Sequence, residues 1–176
     1  GEVYDARKEL NGWDKPGFKD ESWRAVGIAQ EPIGRLTAQV QPPIRAEYRF
    51  PAKSVSSPKP GVYVFDLGQN FAGWVRIRPK VRLRYGELLN ADGTLNPMTS
   101  VAGQIKYKRK ETGESVGGPG APEVAVQEDS FISNGTAFEY EPRFTFRGFR
   151  YLEVTGLEST TKIDPKMVEG VVLNSA

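Results

Sequence analysis

The side chains here that could act on a substrate are six carboxylates and a stripe of arginines. Glu47, Asp66, Glu87, Glu139, Glu141 and Glu153 could supply a general acid and a general base, but no spacing singles out a pair. Arg76, Arg78, Arg82 and Arg84 alternate with Val75, Ile77, Val81 and Leu83. With Trp74 beside them they could hold a sugar by stacking and charged hydrogen bonds. The same stripe also fits a solvated sheet face paired with neighbouring glutamates. The chain contains neither His nor Cys, which excludes Ser-His-Asp and Cys-His nucleophiles, histidine metal sites and disulfides. Asn90, Asp92 and Asn96 lack the ligand spacing and closing Glu of a calcium loop and read as a turn at Asp92-Gly93. No cofactor or metal is expected.

With 24 basic and 22 acidic residues and a net charge of +2, no electrostatic footprint calls for nucleic acid. The run Lys106, Lys108, Arg109 and Lys110 around Tyr107 reads as a solvated strand edge. No apolar run of membrane-spanning length occurs.

The elements that must position these groups are strands. In 176 residues there are 19 glycines and 13 prolines, and no sustained helical periodicity, so the fold class is all-β. The organising stretch runs from Gly61 to Tyr85 and reads as three strands: Val62, Val64 and Leu67 share one face, and Val75 and Ile77, then Val81, Leu83 and Tyr85, alternate with the arginines. Gly68 and Gly73 mark bends or bulges. Pro79-Lys80 falls where the hairpin must reverse, and proline cannot take the positive φ of a two-residue hairpin turn. The connection is therefore wider, or residues are absent from the sequence there.

Before that stretch, Glu2 to Leu10 reads as a strand and Asp20 to Trp23 as one turn driving Trp23 into a core. Trp13 and Trp23 serve as loop anchors before a sugar platform. Gly34 to Phe50 divides at Pro42-Pro43 into two short strands, and Ser54 to Pro60 is a polar turn. After it, residues 99 to 130 are the least patterned, ending in a long connection of the kind that often carries function. Glu128 to Ile132 is a strand, Asn134-Gly135-Thr136 a turn that also spells a glycosylation sequon, and Phe138 to Gly156 two strands bent at Gly148. Lys162 to Ala176 closes in a strand that stops as though the chain should continue. The opening Gly-Glu-Val-Tyr, without Met, reads as the start of an excised piece.

Four ordered motifs then form a pattern. They are Gly-Glu-Val-Tyr-Asp-Ala-Arg at the start, Tyr-Val-Phe-Asp-Leu-Gly-Gln-Asn-Phe-Ala-Gly-Trp-Val from Tyr63, Leu-Arg-Tyr-Gly-Glu-Leu-Leu-Asn-Ala-Asp-Gly-Thr-Leu from Leu83, and Glu-Pro-Arg-Phe-Thr-Phe-Arg-Gly-Phe-Arg-Tyr from Glu141. Together they resemble bacterial α-L-rhamnosidases of glycoside hydrolase family 78. The resemblance implies an antiparallel β-sandwich of concanavalin-like or jelly-roll type. Residues 1–30 would be the tail of a preceding jelly-roll domain and linker, 31–160 the sandwich, and 161–176 a strand leading towards a catalytic (α/α)₆ barrel, the implied partner. The acid and base of the family's hydrolysis sit on that barrel, so none transfers here.

Two departures stand out: the family's Gly-containing loop has no counterpart at Pro79-Lys80, and Arg147 stands where many members carry His. The expected function is a non-catalytic accessory domain supporting the barrel. The alternative is a carbohydrate-binding module for uronate-bearing, rhamnose-containing glycan, with Trp74, Arg76, Arg82 and Arg147 as candidate binding residues. An autonomous hydrolase would need two carboxylates roughly 5–10 Å apart in a cleft.

Overall fold

The computed structural model describes residues 1–30, 33–77, 81–100, 105–117, 121–123, 126–135 and 139–175. The strands are β1 (Val3–Asp5), β2 (Ile44–Pro51), β3 (Ser54–Lys59), β4 (Val62–Ile77), β5 (Val81–Gly86), β6 (Leu88–Leu89), β7 (Leu95–Asn96), β8 (Tyr107–Lys108), β9 (Ser115–Val116), β10 (Glu128–Ile132), β11 (Arg147–Thr155) and β12 (Val168–Ser175). The main sheet has the order β1-β10-β5-β11-β4-β12-β2, with β3 pairing against β4. Every pairing in it is antiparallel except β1 with β10.

Alternation along the strands sends Leu83 and Tyr85 of β5, Leu152 and Val154 of β11, and Val75 and Ile77 of β4 to one interior. Phe131, on the strand next to one end of the sheet, and Val172, on the strand next to the other, join the same cluster. The sheet therefore curls around a single core, as an antiparallel sandwich does. A run of rings crosses it. Phe50 packs edge-on to Phe71 at 5.2 Å, Phe71 lies 4.6 Å from Phe149, and Phe149 meets Tyr85 edge-on at 4.8 Å.

Residues 61–85 contain two strands rather than three. β4 runs unbroken for 16 residues because its irregularity is absorbed locally. Gly68 takes φ +81°, its N–H donates to Asp66 Oδ1 at 2.6 Å, and the pairing with β11 shifts register between Phe149 and Tyr151. The core face of the first half is Tyr63, Phe65 and Leu67. Val64 is buried on the opposite face, between Ser56 of β3 and Glu153 of β11, so both faces there are covered and simple alternation misleads.

Neighbouring strands explain the other differences. Ser54 to Lys59 is edge strand β3 rather than a turn, held by Val55, which packs on the core. Of the segment 34–50 only residues 44–50 enter a strand, as part of β2, which pairs with β12. Of residues 2–10, Val3–Asp5 form a strand and Ala6–Lys8 a 3₁₀ turn. Trp23 is half exposed and packs at tilted angles in a side cluster with Trp13 and Phe18 instead of entering the core. β11 begins at Arg147 and is a single strand, leaving Phe144 and Phe146 in the open. The strand at 128–132 and the turn at Asp92-Gly93, with Gly93 at φ +79°, stand where the sequence puts them. Pro79-Lys80 and Thr136 of the sequon lie outside the described residues.

Candidate functional site

Arg147 opens β11 with its side chain turned inward, only 4% exposed, against the fully buried Asp129 of β10. Nη1 donates to Asp129 Oδ2 at 2.7 Å and Nη2 to Oδ1 at 2.8 Å, while Nε donates to Gln127 Oε1 at 3.0 Å. Tyr85 O–H donates to Asp129 Oδ2 at 2.8 Å, and the guanidinium carbon sits 4.5 Å from the Tyr85 ring centroid. Burial pushes the Tyr85 phenol well up, and the Asp129 charge adds to this. A buried ion pair survives desolvation only when its remaining valences are met, and here they are.

The N-terminal segment completes this set. Glu2 N–H donates to Asp129 Oδ1 at 2.7 Å. The Glu2 carboxylate accepts from Tyr140 O–H at 2.9 Å and from the Arg143 and Phe144 N–H groups at 3.0 and 3.1 Å. Burial, then the bond to Glu2, raises the Tyr140 phenol. Tyr4 stacks on Phe131 and Ala6 is buried in the core, so β1 is integral to the sheet.

The stripe on the opposite face is ion-paired throughout its described part. Arg76 meets Glu139 and, at 3.5 Å, Glu169; Arg82 meets Glu128 at 2.6 Å; Arg84 meets Glu153 at 3.0 Å. Arg78 lies outside the described residues. Trp74 and Arg76 share a cavity of about 380 Å³ with Glu2, Tyr4, Tyr140 and Arg143, and the buried Trp74 Nε1–H has no acceptor among the described residues. The four residues expected to bind sugar are thus dispersed. Trp74 and Arg76 share a cavity on β4, Arg82 lies across β11 on β5, and Arg147 is inside.

Five of the six carboxylates are engaged. Asn174 donates to Glu47, Arg150 forks onto Asp66 at 2.8 and 2.9 Å, and Glu139, Glu141 and Glu153 pair with Arg76, Arg49 and Arg84. Arg150 and the Gly68 amide hold the Asp66 carboxyl below its ordinary range. Glu87 lines a cavity of about 390 Å³ with Thr99, Ser100, Gln127 and Phe146. Asp129 and Glu2 were not singled out from the sequence. The available signal was parity, since Asp129 shares the inward face of β10 with Phe131 and an inward aspartate demands a cation.

A curled antiparallel sandwich in which five of the six candidate carboxylates and the described arginines of the stripe are engaged defines a β-rich scaffold domain. Its family follows from comparison: residues 56–174 match the bacterial α-L-rhamnosidase concanavalin-like domain, and residues 1–48 match the α-L-rhamnosidase N-terminal domain. The chain belongs to the first of these families. It is 42% identical to an α-L-rhamnosidase of Streptomyces avermitilis over 96% of its own length and 15% of that protein. The crystal structure of Streptomyces avermitilis α-L-rhamnosidase complexed with L-rhamnose superposes with a TM-score of 0.80 at 40% identity, over 100% of this chain and 16% of that one. The α-L-rhamnosidase of Dictyoglumus thermophilum gives 0.78 at 35% identity, over 100% of this chain and 18% of that one. The chain thus spans less than a fifth of the length of these relatives.

Proposed function

We propose that this chain is a non-catalytic accessory segment of a longer α-L-rhamnosidase: about residues 1–30 are the end of a preceding β domain that lends strand β1 to the sheet, 31–160 are the body of the sandwich, and 161–176 supply the closing strand, which pairs into the same sheet and leads towards the catalytic barrel. The observation that carries the reading is that five of the six candidate carboxylates are engaged, which leaves Glu87 without a free second carboxylate among the six to act with. A glycosidase acid and base must stand free on either side of a glycosidic bond, whereas Glu139, Glu141, Glu153 and Asp66 are neutralised by arginines of adjoining strands. The short span relative to the rhamnosidases supports the same reading. The test is an assay of the 176-residue chain and of the longer polypeptide on an aryl α-L-rhamnoside. Activity is expected only in the longer polypeptide, and turnover by the chain alone would overturn the reading.

A second reading, binding of a rhamnose-containing glycan, is favoured by the cavity that Trp74 and Arg76 share. Calorimetric titration with L-rhamnose and a pectic oligosaccharide tests it: saturable heat that Trp74→Ala abolishes would establish it, and no heat at millimolar ligand would remove it.

A further inference from the structure

Three cavities open around one loop, residues 141–146. The cavity at Trp74 takes in Glu141 to Arg143; a second, of about 640 Å³, is lined by Val3, Leu10, Trp13, Ile132, Arg143 and Phe144; the third has Phe146 on its rim. The loop is fixed on both sides. Before it, Tyr140 and Ile77 exchange backbone hydrogen bonds at 2.7 and 3.0 Å; within it, Pro142 is buried and the Arg143 and Phe144 amides donate to Glu2; after it, Arg147 is locked to Asp129.

On this rigid mount Phe144 is 91% exposed and Phe146 59%, with Val3, Leu10 and Trp13 exposed beside Phe144. Large apolar side chains held in place rather than collapsed onto the fold are the usual anchors of a protein interface. Arg143 stands among them with no ion pair to any described residue.

We propose that the loop 141–146, with Val3, Leu10 and Trp13, docks another domain of the same longer polypeptide, whose surface offers an apolar pocket for Phe144 and a carboxylate for Arg143. Three observations choose this occupant. The relatives hold over four-fifths of their length outside the matched span, so polypeptide is available to cover the patch. Its aliphatic members, Val3, Leu10 and Ile132, offer a glycan no hydrogen bonds. Its rigidity means that little ordering entropy opposes docking.

The inference rests on the accessory-segment reading but fails separately from it. If the native polypeptide proves no longer than this chain, that reading itself falls. In the longer polypeptide, p-benzoylphenylalanine placed at Phe144 or Phe146 is expected to cross-link to residues outside 1–176 of the same molecule, and at Asn70 on the β4 bulge it is not. Cross-links confined to 1–176, cross-links between copies, or saturable protection of the loop by a rhamnose oligosaccharide would overturn the docking. A Phe144→Ser, Phe146→Ser variant of the longer polypeptide, with Val3→Cys carrying an aryl azide, keeps the fold in view: it should retain the circular dichroism of the polypeptide with Val3→Cys alone, while its cross-linking yield falls at least tenfold. An unchanged yield would equally overturn it.

Discussion

Arg147 and the stripe of Arg76, Arg82 and Arg84 use one residue type in opposite ways. The stripe lies on the outer face, each arginine side chain between 30% and 56% exposed and paired with a glutamate on an adjoining strand or segment. Such pairs exchange hydration for modest Coulomb attraction and contribute little individually. Arg147 is inside, with Asp129 as counter-ion and Tyr85, Gln127 and Glu2 completing the shell. The difference teaches that burial and completeness of partners, not charge or spacing, decide which arginine the fold depends on.

The largest expected effect is at the buried pair. Asp129→Ala strands a guanidinium in the core and should cost about 3–5 kcal/mol, whereas Asp129→Leu with Arg147→Met should recover much of that. Denaturant melts of both variants measure the contrast, and a mild Asp129→Ala phenotype would erase the distinction between the two regions. Next, Tyr85→Phe removes one hydrogen bond to a charged acceptor and should cost about 1.5–3 kcal/mol. Because the folded phenol is raised above its unfolded value, its contribution is full below about pH 10 and declines as the unfolded chain ionises above it. Tyr85→Phe should flatten the alkaline limb of a stability profile.

Asp66 gives the acid counterpart. Its folded carboxyl is lowered by Arg150 first and then by the Gly68 amide, so its stabilisation is full above about pH 4 and is lost as pH falls through the lowered value. Asp66→Asn should be less stable than the native chain at pH 7, and the two should converge in acid. The smallest effect is expected at Arg82→Ala, below about 1 kcal/mol and shrinking with salt. A loss comparable to that at Asp129 would mean that the stripe is structural too.

Much of the sheet was legible because alternation is a local signal. β5, β10 and the outward arginines follow it residue by residue. β3 and the first half of β4 were not, because Val64 is buried by strands distant in sequence and Val55 packs through a partner that periodicity cannot name. At the candidate site, Trp74 and Arg76 were legible as neighbours on one face. The buried set around Arg147 was not, since Asp129 reaches Arg147 across 18 positions of chain and Glu2 reaches Asp129 across 127, through the pairing of β1 with β10.

That pairing bears on how such proteins can be cut and recombined. Residues 1–48 match one family and 56–174 another, which suggests a seam near Ala52 for anyone shuffling modules. The material seam lies elsewhere. A unit excised at Ser56 would leave β10 as a raw edge, free two amides and a phenol from Glu2, and remove a donor from Asp129. The smallest piece that can be transplanted with its sheet edge and buried charge intact therefore begins at or before Glu2, and the two matched regions have to be moved together.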